Sequence, residues 1–150
     1  MPLLSCEELN TVWSAKKSLE REQRRLIDLQ VIAQPSAPQL DGLPHAKSQS
    51  SVVEQLATKM IECQQTIARL NELVAQRKFS LLERLQALNL NELQERVLLY
   101  HYVSCLKFTE IAKLMKFTID YIHFLHRHGL KSLGLTLDEM KREKKKTFSF

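Results

Sequence analysis

The chain has 150 residues, 44% of them hydrophobic and 26% charged, which excludes a fibrous or disordered polymer and leaves room for one small domain or a compact module with a helical arm. Only 3 Gly and 4 Pro occur, too few turn signals for a β-sandwich or an α/β barrel, so an all-α protein is expected. The net charge of +5 is uneven. Residues 91–150 hold 11 Lys/Arg against 7 Asp/Glu, and residues 1–90 hold 11 against 10, which makes the C-terminal part the candidate for an anionic partner.

In chain order, a first helix is expected from about Ser5 to Gln34, with Ser5 as N-cap ahead of Glu7 and Glu8, whose charges suit the positive end of a helix. Leu9, Val12, Trp13, Leu19, Leu26, Leu29 and Ile32 form an imperfect apolar seam, with Trp13 as the expected core anchor of a helical hairpin. Pro35, Pro38, Gly42 and Pro44, then Ser48 to Ser51, predict a flexible linker over about 35–51. A second helix from about Val52 to Leu88 carries the clearest periodicity. Val53, Leu56, Met60, Cys63, Ile67, Leu70 and Val74 alternate steps of three and four as in a heptad seam, and Leu81, Leu85 and Leu88 resume it. A helix near 50 Å long, at about 1.5 Å per residue, cannot bury its own stripe. Residues 1–88 therefore read as a coiled-coil-like hairpin arm, with a homodimer through the same surface left open.

The region 89–135 changes character. Asn89 or Asn91 can cap a helix entered by Glu92 and closed near Ser104-Cys105-Leu106. Thr109 precedes a short helix, Glu110 to Met115. Lys116-Phe117 makes a tight connection, and Thr118 caps a helix from Ile119 to about Leu133 with Ile122, Leu125, Leu130 and Leu133 as its inward stripe, ended by Gly134. Two short helices joined by a tight turn behind a longer one make the layout of a helix-turn-helix. Ile111, Leu114, Met115, Ile122 and Leu125 are expected to form its small core with Leu93, Val97 and Tyr100, and Ala112 is small because the two helices cross there. Residues 136–150, with Lys141, Arg142, Lys144, Lys145 and Lys146, read as a basic tail, either phosphate-binding or a solvated, fraying terminus.

The stretch Leu93 to Leu133 resembles the sigma-factor region 4 type of helix-turn-helix in Glu110-Ile111-Ala112, Leu114-Met115, Phe117-Thr118, Ile122, Leu125 and Leu130. With Asp41-Gly42-Leu43-Pro44 in the linker, residues 5 to 135 resemble the ArpU/RinA-type phage regulators of Firmicutes, which join a helical hairpin to such a module. The resemblance implies control of phage or prophage late or packaging genes. Two departures stand out. Lys116 occupies a turn position where glycine is usual, implying a left-handed non-glycine residue at a cost of roughly 1 kcal/mol. Ile119 and Phe124 stand where relatives carry Arg.

If the second helix enters the major groove of double-stranded DNA, Ile119, Asp120, His123 and Phe124 face base edges, with Arg127 and Lys131 near phosphates and Thr118 capping the helix. Outward Ile119 and Phe124 fit a rival, an adaptor that docks RNA polymerase or a sigma factor. A coiled-coil structural scaffold is a third reading. It accounts for the heptads but gives residues 109–133 no purpose.

Catalysis has no residue set behind it. The sequence lacks a Walker loop, a dinucleotide fingerprint, G-x-S-x-G and H-E-x-x-H. His123, His126 and His128 lack a completing ligand, so no metal or cofactor is expected; His126 and His101 read as packed, hydrogen-bonded core histidines. Cys6, Cys63 and Cys105 are odd in number and far apart, as in a reduced protein. No apolar run reaches the roughly 18 residues of a membrane span, and Met1 to Cys6 lacks the pattern of a signal peptide, which implies a cytoplasmic protein; the resemblance to phage regulators implies that the cell is a bacterial host.

Overall fold

The computed structural model describes residues 3–34 and 48–148, with side chains for 3–34 and 51–145. Among these residues every regular element is helical, and no helix is long and apolar enough to cross a membrane. The chain divides into two compact units, Met1–Ala15 with Leu73–Phe150, and Lys16–Glu72.

Ser5 caps α1 (Cys6–Leu9) through a reciprocal box: its hydroxyl accepts the Glu8 N–H at 3.1 Å, and Glu8 Oε2 accepts the Ser5 N–H at 2.8 Å. Glu8 Oε1 also accepts from Arg84 at 2.6 Å. The Arg84 hydrogen bond first, and the Ser5 N–H second, hold this carboxyl below its ordinary range. Buried Asn10 ends α1, so the single helix expected from Ser5 to Gln34 is interrupted before α2 (Thr11–Ala33) begins. Next comes α3 (Ser48–Ala87), which starts inside the serine run that the sequence assigns to the linker. The linker's other residues, including Asp41-Gly42-Leu43-Pro44, lie outside the described residues.

In the Lys16–Glu72 unit, Cys63 of the heptad seam is buried, and its thiol donates to the Glu22 carbonyl at 3.3 Å and to Glu22 Oε2 at 3.2 Å, joining α3 to α2. Burial, then the Glu22 carboxylate, pushes this thiol up, so it stays a protonated donor. Leu19, Leu26 and Leu29 of α2 and Leu56, Met60 and Ile67 of α3 are half-buried, whereas Val53 is exposed.

The other unit has two cores. The first gathers Leu4, Leu9 and Val12 with Leu81 and Leu85 of α3 and with Leu130 and Leu133. Each such side chain contributes about 1.5–3 kcal/mol by leaving water. Trp13 packs against this core and its indole N–H donates to the His101 carbonyl at 2.8 Å, so the expected hairpin anchor instead binds the start of α2 to the C-terminal module.

The second core holds Val97, Ile111, Ala112, Ile122 and Leu125, with Leu93, Tyr100 and Met115 against it, as the apolar pattern predicts. Leu114 departs from that expectation: it is 57% exposed. At the helical period it points roughly 110° away from the mean direction of Phe108, Ile111, Ala112 and Met115.

Asn91 caps α4 (Glu92–Leu98) by accepting the Leu93 N–H at 3.1 Å. A π turn, Leu99–Val103, follows at once, with Ser104 N–H bonded to the Leu99 carbonyl at 3.0 Å. Within it His101 and Tyr102 are both buried. Lys107 precedes α5 (Phe108–Met115) and its N–H donates to Glu110 Oε2 at 3.2 Å; Thr109, expected just ahead of this helix, lies in its first turn instead.

Lys116 ends α5 at φ 60 and ψ 41, the left-handed conformation that the absent glycine implies. Thr118 caps α6 (Ile119–Ser132), accepting the Tyr121 N–H at 3.3 Å. Gly134, at φ 81, closes α6 with Gly134 N–H on the Lys131 carbonyl and Leu135 N–H on that of Leu130. The basic segment 136–150 contains α7 (Leu137–Phe148), because Thr136 and Glu139 exchange capping hydrogen bonds and Met140 is buried in the first core, while Lys141, Arg142, Lys144 and Lys145 remain exposed to solvent.

Candidate nucleic-acid interface

α6 presents three differently used faces. The inward face carries Ile122, Leu125, His126, Gly129 and Leu130, all buried. A Cβ on Gly129 would stand 3.1 Å from Leu98 Cδ1, so the glycine lets α4 approach α6 closely.

A second face is aromatic and open. Phe117, just ahead of the helix, lies edge-on to Tyr121 with ring centroids 5.0 Å apart, Tyr121 stacks on Phe124 at 6.0 Å, and Phe124 meets His128 at 4.2 Å. Steps of four, three and four put them on one side of the helix. Phe124 is 44% exposed, and Leu114 and Ile119 add exposed apolar surface at the turn.

The third face carries Asp120, His123 and Arg127, which share a cavity with Lys141 and Lys144 of α7. The structure therefore distributes the seven predicted residues. Asp120, His123 and Arg127 come together, Phe124 joins the aromatic row, Thr118 caps the helix, Ile119 is partly exposed, and Lys131 is exposed one turn beyond Arg127. Phe117, Tyr121 and His128 were missed as members of the row, although their spacing is a readable signal.

Behind α6 lies a cluster of buried rings. Tyr102 and His126 are hydrogen-bonded, with the hydroxyl 2.7 Å from Nε2. His101 stacks on Phe108 with centroids 4.2 Å apart, and its Nδ1–H donates to the Leu106 carbonyl at 2.9 Å. A carbonyl only accepts, so His101 carries its proton on Nδ1 and leaves Nε2 as a bare acceptor. That buried Nε2 has no hydrogen-bond partner among the described residues. Burial drives both rings toward the neutral form. His101 falls to about 4, with Lys144 and His123 adding to the effect against the Leu106 hydrogen bond, and His126 falls to about 3, with His101, Lys144 and His123 adding.

No group of three or more His, Cys, Asp or Glu among the described residues is placed to hold a metal ion. Burial raises the Cys6 thiol as well as that of Cys63, opposite to what a nucleophile needs. Compared with family models, curated proteins and solved structures, the chain matches none. The faces of α6 offer binding chemistry: stacking rings, a capped N-terminus, and the exposed cations Lys113, Lys116, Arg127 and Lys131 around them.

Proposed function

We propose that the chain is a DNA-binding transcriptional regulator of phage or prophage type, with α5 and α6 as a helix-turn-helix and the N-terminal helices as a hairpin arm. The observation that carries this reading is the seating of α6. Its buried stripe rests on the core shared with α4 and α5, while Asp120, Tyr121, Phe124, Arg127 and Lys131 stay exposed along the same helix. In the major groove Phe124 and Ile119 suit thymine methyl groups, Asp120 suits a cytosine amino group, and Arg127 and Lys131 suit phosphates. The contact between Cys63 and Glu22 supports the hairpin arm, which recruits or dimerises.

The test is fluorescence anisotropy on duplex DNA from upstream of the coding sequence and on random duplex, at two salt concentrations, with an Arg127→Ala/Lys131→Ala variant alongside. The regulator binds the upstream duplex more tightly, and the variant binds every duplex more weakly with a shallower salt slope. Absence of binding at low salt overturns DNA recognition.

A second reading has its own observation. Leu114, Phe117, Ile119, Tyr121 and Phe124 form an exposed apolar surface around the turn, which suits an adaptor docking RNA polymerase or a sigma factor. Capture of the polymerase by the wild type, lost in Phe124→Ala with DNA binding unchanged, distinguishes this reading.

A further inference from the structure

A cavity of about 600 Å³ opens between α6, α7 and the π turn, within the range of about 300–1,000 Å³ typical of small-molecule sites. Its wall has two chemistries. Phe108 and Leu137 supply accessible apolar and aromatic surface over the buried Tyr102 and Met140, and the wall carries three cations, Arg127, Lys141 and Lys144, and one carboxylate, Asp120. His101, His123 and His126 complete the wall. His101 is 5% exposed, and its Nε2 is unpartnered among the described residues.

We propose that this cavity binds a small planar aromatic anion, a ring system bearing a carboxylate or phosphate group. The ring lies among Phe108, His123 and the edges of the buried histidines, and the anionic group sits at the side lined by Arg127, Lys141 and Lys144. The two requirements come from different residues of the wall. Aromatic surface rewards a flat ring through offset stacking, and a surplus of cations beside a low-dielectric wall rewards negative charge. The cavity joins α7 to the face of α6 that holds Asp120, His123 and Arg127, so occupancy couples ligand level to that helix. Binding itself does not depend on which macromolecule α6 contacts.

The experiment titrates the full chain with 1-naphthoate, with neutral 1-naphthalenemethanol and with cyclohexanecarboxylate, read by calorimetry and by histidine Cε1–H NMR signals. Naphthoate binds, and each of the other two, lacking charge or aromaticity, binds about tenfold more weakly, a loss of about 1.4 kcal/mol. A Lys141→Gln/Lys144→Gln variant, whose altered side chains are exposed and leave the helical circular dichroism unchanged, loses naphthoate affinity by about the same factor. Ring-current shifts appear at His123 and His126. Equal binding of the neutral alcohol, an unaffected variant, or shifts confined to His128 on the outer aromatic row each overturns the proposal. So does an absence of naphthoate binding.

Discussion

The hydroxyl of Tyr102, in the π turn, lies 2.7 Å from Nε2 of His126, in α6, and both side chains are buried. This one hydrogen bond fastens the widened turn to the helix that carries the candidate interface. In Tyr102→Phe the ring volume is kept and Nε2 is left unpartnered, so the expected cost is about 1–3 kcal/mol. Urea unfolding followed by circular dichroism measures it. An unchanged midpoint would show that water replaces the hydroxyl.

The same ring cluster sets the response to acid. His101 and His126 titrate at about 4 and about 3 in the folded chain, below the ordinary 6.5. Above pH 6.5 both are neutral whether the chain is folded or not, and their contribution to stability is fully present. As pH falls below 6.5 the unfolded chain takes up protons that the folded chain refuses, and stability drops until the folded pKa values are passed. With both histidines involved the slope reaches about 2.5 kcal/mol per pH unit. Glu8 acts in the same direction only below its ordinary 4.5, so the window from pH 6.5 to 4.5 isolates the histidines. Thermal unfolding across that window is expected to show a steep fall in Tm, and a flat profile would refute it.

Gly129 and Leu98 form a coupled pair. Replacing Gly129 with Ala gains up to about 1 kcal/mol of helix propensity. The new Cβ meets fully buried Leu98 at 3.1–3.2 Å, and overpacking of this kind costs about 1–3 kcal/mol. Gly129→Ala is therefore expected to destabilise the wild type but to stabilise a Leu98→Ala background, where the clash is gone. A double-mutant cycle in urea reads the sign change. Independent effects in the two backgrounds would count against the contact.

The parts of this fold legible in the sequence are those where one periodic stripe meets one core. Ile122, Leu125, Leu130 and Leu133 recur at helical spacing, and all four are buried. The left-handed Lys116 was legible from a missing glycine, and the Ser5 cap from the carboxylates behind it. The π turn was not, because His101 and Tyr102 fit an ordinary helix pattern equally well and only long-range packing selects the wider turn. α7 was hidden by its lysines: two apolar residues, Leu137 and Met140, hold it to the core, too few to make a stripe. For the candidate interface, residue types on α6 were readable but their grouping was not. Whether Asp120 belongs with Phe124 or with Arg127 depends on where α7 lies.

The three-way division of α6 has a genetic consequence. A saturation library over residues 117–131 should sort by phenotype with the pitch of the helix. Changes at Ile122, Leu125 and Leu130 remove the protein from the cell, changes at Phe117, Tyr121, Phe124, His128 and Lys131 leave it abundant but unable to hold its partner, a change at His123 alters only how its output responds to small molecules, and changes at Asp120 and Arg127, which serve both faces, do both. Suppressors of the altered small-molecule response are expected to map to α7, at Lys141 and Lys144, so that intragenic genetics alone could trace the cavity wall.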